Sequence, residues 1–337
     1  MDFKPGDIFH EVYRIERELG SGGMAKVYLA EHLQLGIDVA LKTPRLEQIA
    51  DSLVRARFER EARLLASLNH ENIVTLRDAR WNWAKNFAFI ALEHVDGVPL
   101  NDRLLSLPAE ATLRDALALA HQLARALDYL HSRGIVHRDA KKGNVLVERA
   151  SGRVKLLDFG LARSAQKNRG AEEFQTNLGI ISGTPGYMAP EQLLGRSGAT
   201  PASDIYSFGV IVYRILTRSF PWPSKGRELM AAQLADAPAP VRQLNPRLPK
   251  ALDVLFRDCL DLEPDKRPPS AGYFFVSILR ALGPRLLSEP YATATDTAKT
   301  ATSSAEFQAS AAAAGAATEP TFVDDLALKA EMDRIPR

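Results

Sequence analysis

The chain has one cysteine, Cys259, which excludes an intrachain disulfide, a CxxC pair and a cysteine-built zinc cluster. That usage fits a reducing compartment, and the cytoplasm is the expected location. An excess of charge is lacking too: 43 Lys and Arg stand against 41 Asp and Glu, leaving +2. No strong one-signed field is available to draw nucleic acid or an anionic membrane surface, so neither is an expected partner. The opening MDFKPGDIF lacks a basic region followed by an apolar run, and the most apolar stretch, residues 208–216, is broken by Arg214. Neither meets the pattern of a secretory leader or the roughly 20 apolar residues of a membrane span. No internal repeat is visible. What the chain does have is 337 residues, 46% of them hydrophobic, enough for a large core in two domains or in one bilobal enzyme.

Residues 13–43 read as three β-strands joined by short turns, which predicts an antiparallel sheet. From Leu53 to Leu68 the period becomes helical, with Phe58, Glu61, Leu65 and Leu68 on one face and Glu59 on the opposite, solvated one. Residues 87–95 form an apolar strand ending in the Asp96–Gly97 turn, and helices are predicted over 112–132, 202–217, 249–260 and 270–282. A β-rich part followed by an α-rich part is an α+β plan: a small antiparallel β-sheet lobe with one helix, then a larger, mainly α-helical lobe. The expected boundaries are an extension over 1–12, a domain over 13–287 split into 13–95 and 96–287, and a tail over 288–337. The tail is Ala-, Ser- and Thr-rich with few large apolar residues, a composition that predicts disorder.

Four groups of residues carry chemistry. Gly20, Gly22 and Gly23 lie between two strands, where bare backbone can approach phosphate oxygens; ordinarily such a run is only a turn. The absence of a following helix removes the context for dinucleotide-binding and Walker-type loops. Lys42 ends the strand VALK, and alone it reads as a solvated strand-end lysine. Glu61, central in an apolar stripe, needs a cation, and Lys42 can supply it. In HRDAKKGN, Asp139, Lys141 and Asn144 put an acceptor, a cation and a metal-capable amide close together, against the plainer reading of a polar loop that staples helix to strand. Asp158, at the end of an apolar run and before Phe159 and Gly160, is placed as a Mg²⁺ ligand, although Asp-Phe-Gly turns are common.

In this order, with Ala189-Pro190-Glu191 after them, the motifs resemble the protein kinases, and within them the serine/threonine kinases of bacterial type; the likeness covers about residues 13–282. The resemblance implies a bilobal fold, ATP and Mg²⁺, and transfer of the γ-phosphate to Ser or Thr hydroxyls of proteins, the chain itself in trans among them. It further implies that Lys42 binds the α- and β-phosphates and pairs with Glu61, that Asp139 is the base, that Lys141 meets the γ-phosphate, and that Asn144 and Asp158 hold magnesium. Adenine would lie among Val27, Ala40 and Leu146 and bond to backbone near Glu93 and Val95, with Leu92 gating a rear pocket. Thr184 would bridge Asp139 and Lys141, Glu191 would pair with Arg267, and Asp204 would tie a helix to the catalytic-loop backbone. Control through a loop phosphorylated at Thr176, with Ser182 and Ser164 as further sites, would engage Arg138.

The sequence departs from the family pattern at Ala25 for the third glycine, at Ala140 and Lys142 for a larger apolar residue and a proline, and at Gly143 for an acidic residue. The last change implies no strong selection for arginine before the acceptor. Two other functions compete: a catalytically silent binding scaffold of the same fold, and a phosphotransferase for small molecules. The presence of Lys42, Asp139, Asn144 and Asp158 speaks against the first, and the segment 183–191 with Arg267, resembling a peptide platform, against the second.

Overall fold

A computed structural model describes residues 2–108, 110–140, 142–158, 185–195, 199–224 and 226–291. The chain divides into two compact units, one of Met1–Asp96 with Lys155–Asn168 and one of Gly97–Val154 with Arg169–Arg337.

The first unit is built on an antiparallel sheet of six strands, β1 (Ile8–Phe9), β2 (Tyr13–Ser21), β3 (Ala25–His32), β4 (Ile37–Pro44), β5 (Leu76–Asn82) and β6 (Phe87–Glu93), in the order β1-β2-β3-β4-β6-β5. Register decides what each face carries, because successive side chains alternate. Leu41 opposes Tyr28 and Ala91, and these join Phe9, Tyr13, Ile15, Ala30, Val39 and Phe89 in an aromatic-rich core on one face. On the other face Val27 opposes Lys42, Ala40 opposes Leu92 and Lys42 opposes Ile90. After a short helix α1 (Leu46–Ile49), helix α2 (Ser52–Ala66) begins at Asp51, whose carboxylate accepts from the Leu53 amide, and buries Val54, Phe58, Ala62 and Leu65.

In the second unit β7 (Gly97–Pro99) pairs antiparallel with β8 (Val145–Glu148). Gly97 must be glycine: a Cβ there would stand 2.6 Å from the Val147 carbonyl oxygen. Helix α3 (Leu100–Leu105) leads to α4 (Leu113–Ser132), which starts with a reciprocal Thr112–Asp115 capping box. The helix Pro201–Thr217 is buried on nearly every side, and Gly209 lets it approach Cys259, whose Sγ would be 2.5 Å from a Cβ at that position. Burial pushes the Cys259 thiol well above its ordinary range, which leaves it an inert core group. Asp128 of α4 accepts from the amides of Ala271 and Gly272 and so caps the helix Ala271–Leu287 from outside. Beyond that helix Glu289 and Tyr291 still bond to the backbone of Leu113 and Ala111. Among the described residues no helix is long and apolar enough to cross a membrane.

Candidate active site

In the first unit the Lys42 ammonium lies 2.5 Å from Glu61 Oε1 and 3.1 Å from Asp158 Oδ1. The Lys42 and Glu61 side chains are only 15% and 13% exposed, whereas Asp158 is 54% exposed. Burial alone would lower the lysine pKa, but the two carboxylates outweigh it and hold the group protonated above its ordinary range. Asp158 adopts a left-handed φ of 43°, sterically costly for any residue with a side chain. Beside this cluster the glycine-rich turn is gripped by Arg45, whose Nε donates to the Gly22 carbonyl at 2.8 Å and whose second nitrogen donates to Ser21 Oγ at 2.5 Å.

In the second unit Asp204, 1% exposed, gathers the catalytic-loop backbone: it accepts from the His137 amide at 2.7 Å, from the Arg138 amide at 2.8 Å and meets His131 Nε2 at 2.9 Å. Arg138 has φ 71°, and its buried Nε has no partner among the described residues. Asn144 Nδ2 donates to both the backbone oxygen and Oδ2 of Asp139, each at 2.9 Å. That bond fixes the Asp139 carboxylate and leaves the amide oxygen of Asn144 as the atom free to act as a ligand. Below the loop Glu191 and Arg267 make a bidentate pair at 2.8 and 2.7 Å, with Ser203 donating to Glu191 at 2.6 Å. Burial raises the Glu191 pKa, but the bonds from Arg267 and Ser203 lower it further than burial raises it.

A family model described as the protein kinase domain matches residues 13–274. The chain belongs to the protein kinases. Curated relatives of this kinase domain include the serine/threonine-protein kinase pkn2 of Myxococcus xanthus, 37% identical over 77% of this chain and 31% of that protein. Another is the serine/threonine-protein kinase PknA of Mycobacterium tuberculosis, 37% identical over 78% of this chain and 59% of the relative. The chain therefore spans about a third to three-fifths of the length of these relatives. Among solved structures, the PknI kinase domain of M. tuberculosis shares 26% identity with a TM-score of 0.62, covering 84% of this chain and 100% of that one.

The residues expected from sequence fall into this kinase domain as follows. Lys42, Glu61 and Asp158 come together, as do Asp139 and Asn144. Gly22 and Gly23 lie in the turn between β2 and β3, with Gly22 N donating to the Ala25 carbonyl at 2.9 Å, whereas Gly20, expected between the strands, belongs to β2 and pairs with Val27. Val27, Ala40 and Leu92 share the Lys42 face of the sheet, while Leu146 sits half-buried on β8 opposite Pro99. Val95 is buried just after β6. Lys141, Ser164, Thr176, Ser182 and Thr184 lie outside the described residues. The environment of Glu59 differs from the expected solvated face: it accepts from Trp83 Nε1 at 2.8 Å and from Arg63 at 2.7 Å, because the β5–β6 connection folds over that side of α2. The sequence reading also missed Arg45 and Lys155, whose basic letters read as solvated when their partners are unknown.

Proposed function

We propose that this chain is an ATP-dependent kinase of protein Ser and Thr hydroxyls. The observation that carries the reading is the buried Lys42, held charged between Glu61 and Asp158 by 2.5 and 3.1 Å contacts. A lysine fixed this way presents an ammonium for phosphate oxygens without further ordering. Around it, a Cβ built at Gly20 or Gly23 meets no atom within 4 Å. Nothing in the fold excludes a side chain at those two glycines, and the open space suits a phosphate approached by bare backbone.

In this reading Asp139 accepts the proton of the acceptor hydroxyl, whose oxygen attacks the γ-phosphorus as the bond to ADP breaks. Asn144 keeps the Asp139 carboxylate aimed, and Lys141 meets the γ-phosphate. Val27, Ala40 and Leu146 are the apolar groups assigned to adenine, which bonds to the backbone around Glu93 and Val95. The donors suited to magnesium are the half-exposed Asp158 carboxylate and the Asn144 amide oxygen, hard oxygens of the kind Mg²⁺ takes together with phosphates and waters. Mg²⁺ would supply neutralisation of the charge on the phosphates. Phosphorylation of Thr176, with Ser182 and Ser164 as lesser sites, is the proposed control, since a phosphate satisfies a guanidinium such as that of Arg138.

The test is transfer from labelled ATP to a generic protein, compared with an aminoglycoside and choline, for wild type and Asp139→Asn. Wild type should label the protein alone. The variant should lose about 10²–10⁴ in turnover with ATP affinity nearly unchanged. Labelling of the small molecules would turn the reading toward a metabolite kinase, and absence of transfer with intact ATP binding toward a scaffold.

A further inference from the structure

We propose that Lys155 is a positioning residue for nucleotide-base recognition, fixing through Glu93 the backbone that reads the base. The proposal rests on the kinase reading above. Lys155 lies on the strand β9 (Val154–Leu156), two residues before the apolar run ends, and its ammonium is 2.5 Å from Glu93 Oε1 with side chains only 7% and 17% exposed. The same Oε1 accepts the Thr75 amide at 3.1 Å, while the Glu93 amide donates to the Thr75 carbonyl at 2.9 Å. Arg77 stands 3.9 Å from the other carboxylate oxygen. Further along, the Leu156 amide donates to the Asn72 carbonyl at 2.8 Å and the Val74 amide to the Leu156 carbonyl at 3.1 Å. Residues 72–77 are thus stitched to both the end of β6 and β9, and Glu93 is the point at which all three segments meet.

Two consequences follow. The Glu93 carboxylate is held by Lys155 and the Thr75 amide, and the Glu93 amide is taken by the Thr75 carbonyl, so the part this residue takes in binding a base falls to its carbonyl oxygen. A buried ion pair is also an uneconomical way to gain stability, since a well-packed apolar pair of the same volume does as well or better. What the charges provide instead is a single geometry, because neither partner can swing away without losing its counter-charge. Geometry is what base selection needs. Adenine presents a donor and then an acceptor along its edge, and guanine reverses them. A carbonyl and an amide held in fixed order accept the first and leave buried groups unpaired against the second. If Lys155 is removed, residues 93–95 gain freedom, and both tight adenine binding and rejection of guanine weaken together.

The experiment is steady-state kinetics with ATP and with GTP, alongside thermal unfolding, for Lys155→Met, Glu93→Gln, the double variant and Lys155→Arg. Both single variants should raise KM for ATP about tenfold with kcat within about threefold, and should lower the preference for ATP over GTP. The double variant leaves no unpaired buried charge, so it should regain the melting temperature lost by the single ones without regaining KM or base preference. Lys155→Arg, which keeps the charge, should keep the preference. A double variant that recovers stability and base preference together, or wild-type KM for ATP in every variant, would reduce the pair to a packing contact and overturn the proposal. A wild-type chain that neither binds nor turns over ATP would overturn the kinase reading and this proposal with it, an outcome visible before any variant is made.

Discussion

Asp158 and Arg138 are both non-glycine residues in left-handed backbone, at φ 43° and 71°, and each carries a steric cost of about 1–3 kcal/mol. Such conformations persist where surrounding bonds over-determine them, and both have such bonds: Lys42 on the Asp158 carboxylate, Asp204 on the Arg138 amide. Since Asp158 and Lys42 share an ion pair but are assigned different ligands, their removal should differ in kind. Asp158→Asn is expected to weaken ATP binding only in its Mg²⁺-dependent part, whereas Lys42→Met should lower phosphate affinity equally at every Mg²⁺ concentration. Titrating ATP at several Mg²⁺ levels separates them, and identical profiles would mean one role is misassigned. Glu191 gives a pH prediction. Its folded pKa lies below the ordinary 4.5, so the stability it contributes is present above pH 4.5 and is lost as pH falls through the folded value. Glu191→Gln leaves the Arg267 guanidinium buried and unpaired, which should cost about 3–5 kcal/mol at pH 7. Denaturant titrations of both proteins should show that gap narrowing below pH 4.5. These residues were legible because motif order names them. Lys155 was not, since a lysine in VKLL shows its burial only when Glu93, 62 residues away, is placed beside it.

At the scale of elements, β2, β3 and β4 follow from β-rich segments between turns, β6 from a continuous apolar run that is buried on both faces, and α2 from its one-sided apolar stripe. β5 escaped for the opposite reason: LRDARWN has no fully buried residue and is held as a strand by its ladder with β6 rather than by its own pattern. Yet β5 leads into the connection that holds α2. Trp83 at its end donates to Glu59, meets Phe58 edge-on at 6.1 Å between ring centres and lies under Arg55 at 5.6 Å. Those three residues are neighbours of Glu61 on α2, so the tryptophan steadies the helix that presents the Lys42 partner. Trp83→Phe keeps the ring contact and loses the bond to a charged acceptor, a change expected to cost about 1.5–3 kcal/mol. Trp83→Ala loses the ring contacts too, adding about 0.5–1.5 kcal/mol for the aromatic pair. Equal stability of the two variants in urea unfolding would show that the hydrogen bond alone anchors the helix.

At the scale of the molecule, composition and the change from β-rich to α-rich sequence disclosed the plan, but the roles of residues 3–9 and 288–291 depend on contacts that no local pattern reveals. At the amino end, Phe3 and Phe9 join the aromatic face of the sheet, and Ile8–Phe9 adds a short strand ahead of Tyr13. At the other end the segment after Leu287 looks, by composition, like the start of a tail. Tyr291 is nevertheless only 8% exposed, with its amide donating to the Ala111 carbonyl at 2.8 Å and its ring under the Arg218 guanidinium at 3.8 Å. Glu289 accepts from the Leu113 amide at 2.9 Å and stands 3.6 Å from Arg247. Together these bonds close off the start of α4, the helix whose Asp128 caps Ala271–Leu287 and whose His131 meets Asp204. Burying a tyrosine contributes about 1.5–3 kcal/mol, and the cation–π contact and two backbone bonds about 0.5–1.5 kcal/mol each. A chain cut after Tyr291 keeps every one of these contacts. A chain cut after Ser288 should lose about 3 kcal/mol or more. Tyr291→Ala in the full chain separates the side chain from the strand-like bonds around it, and should account for more than half of that loss. Equal melting of the two cut chains would place the functional end of the domain at Ser288 and reduce the Tyr291 contacts to a surface embellishment.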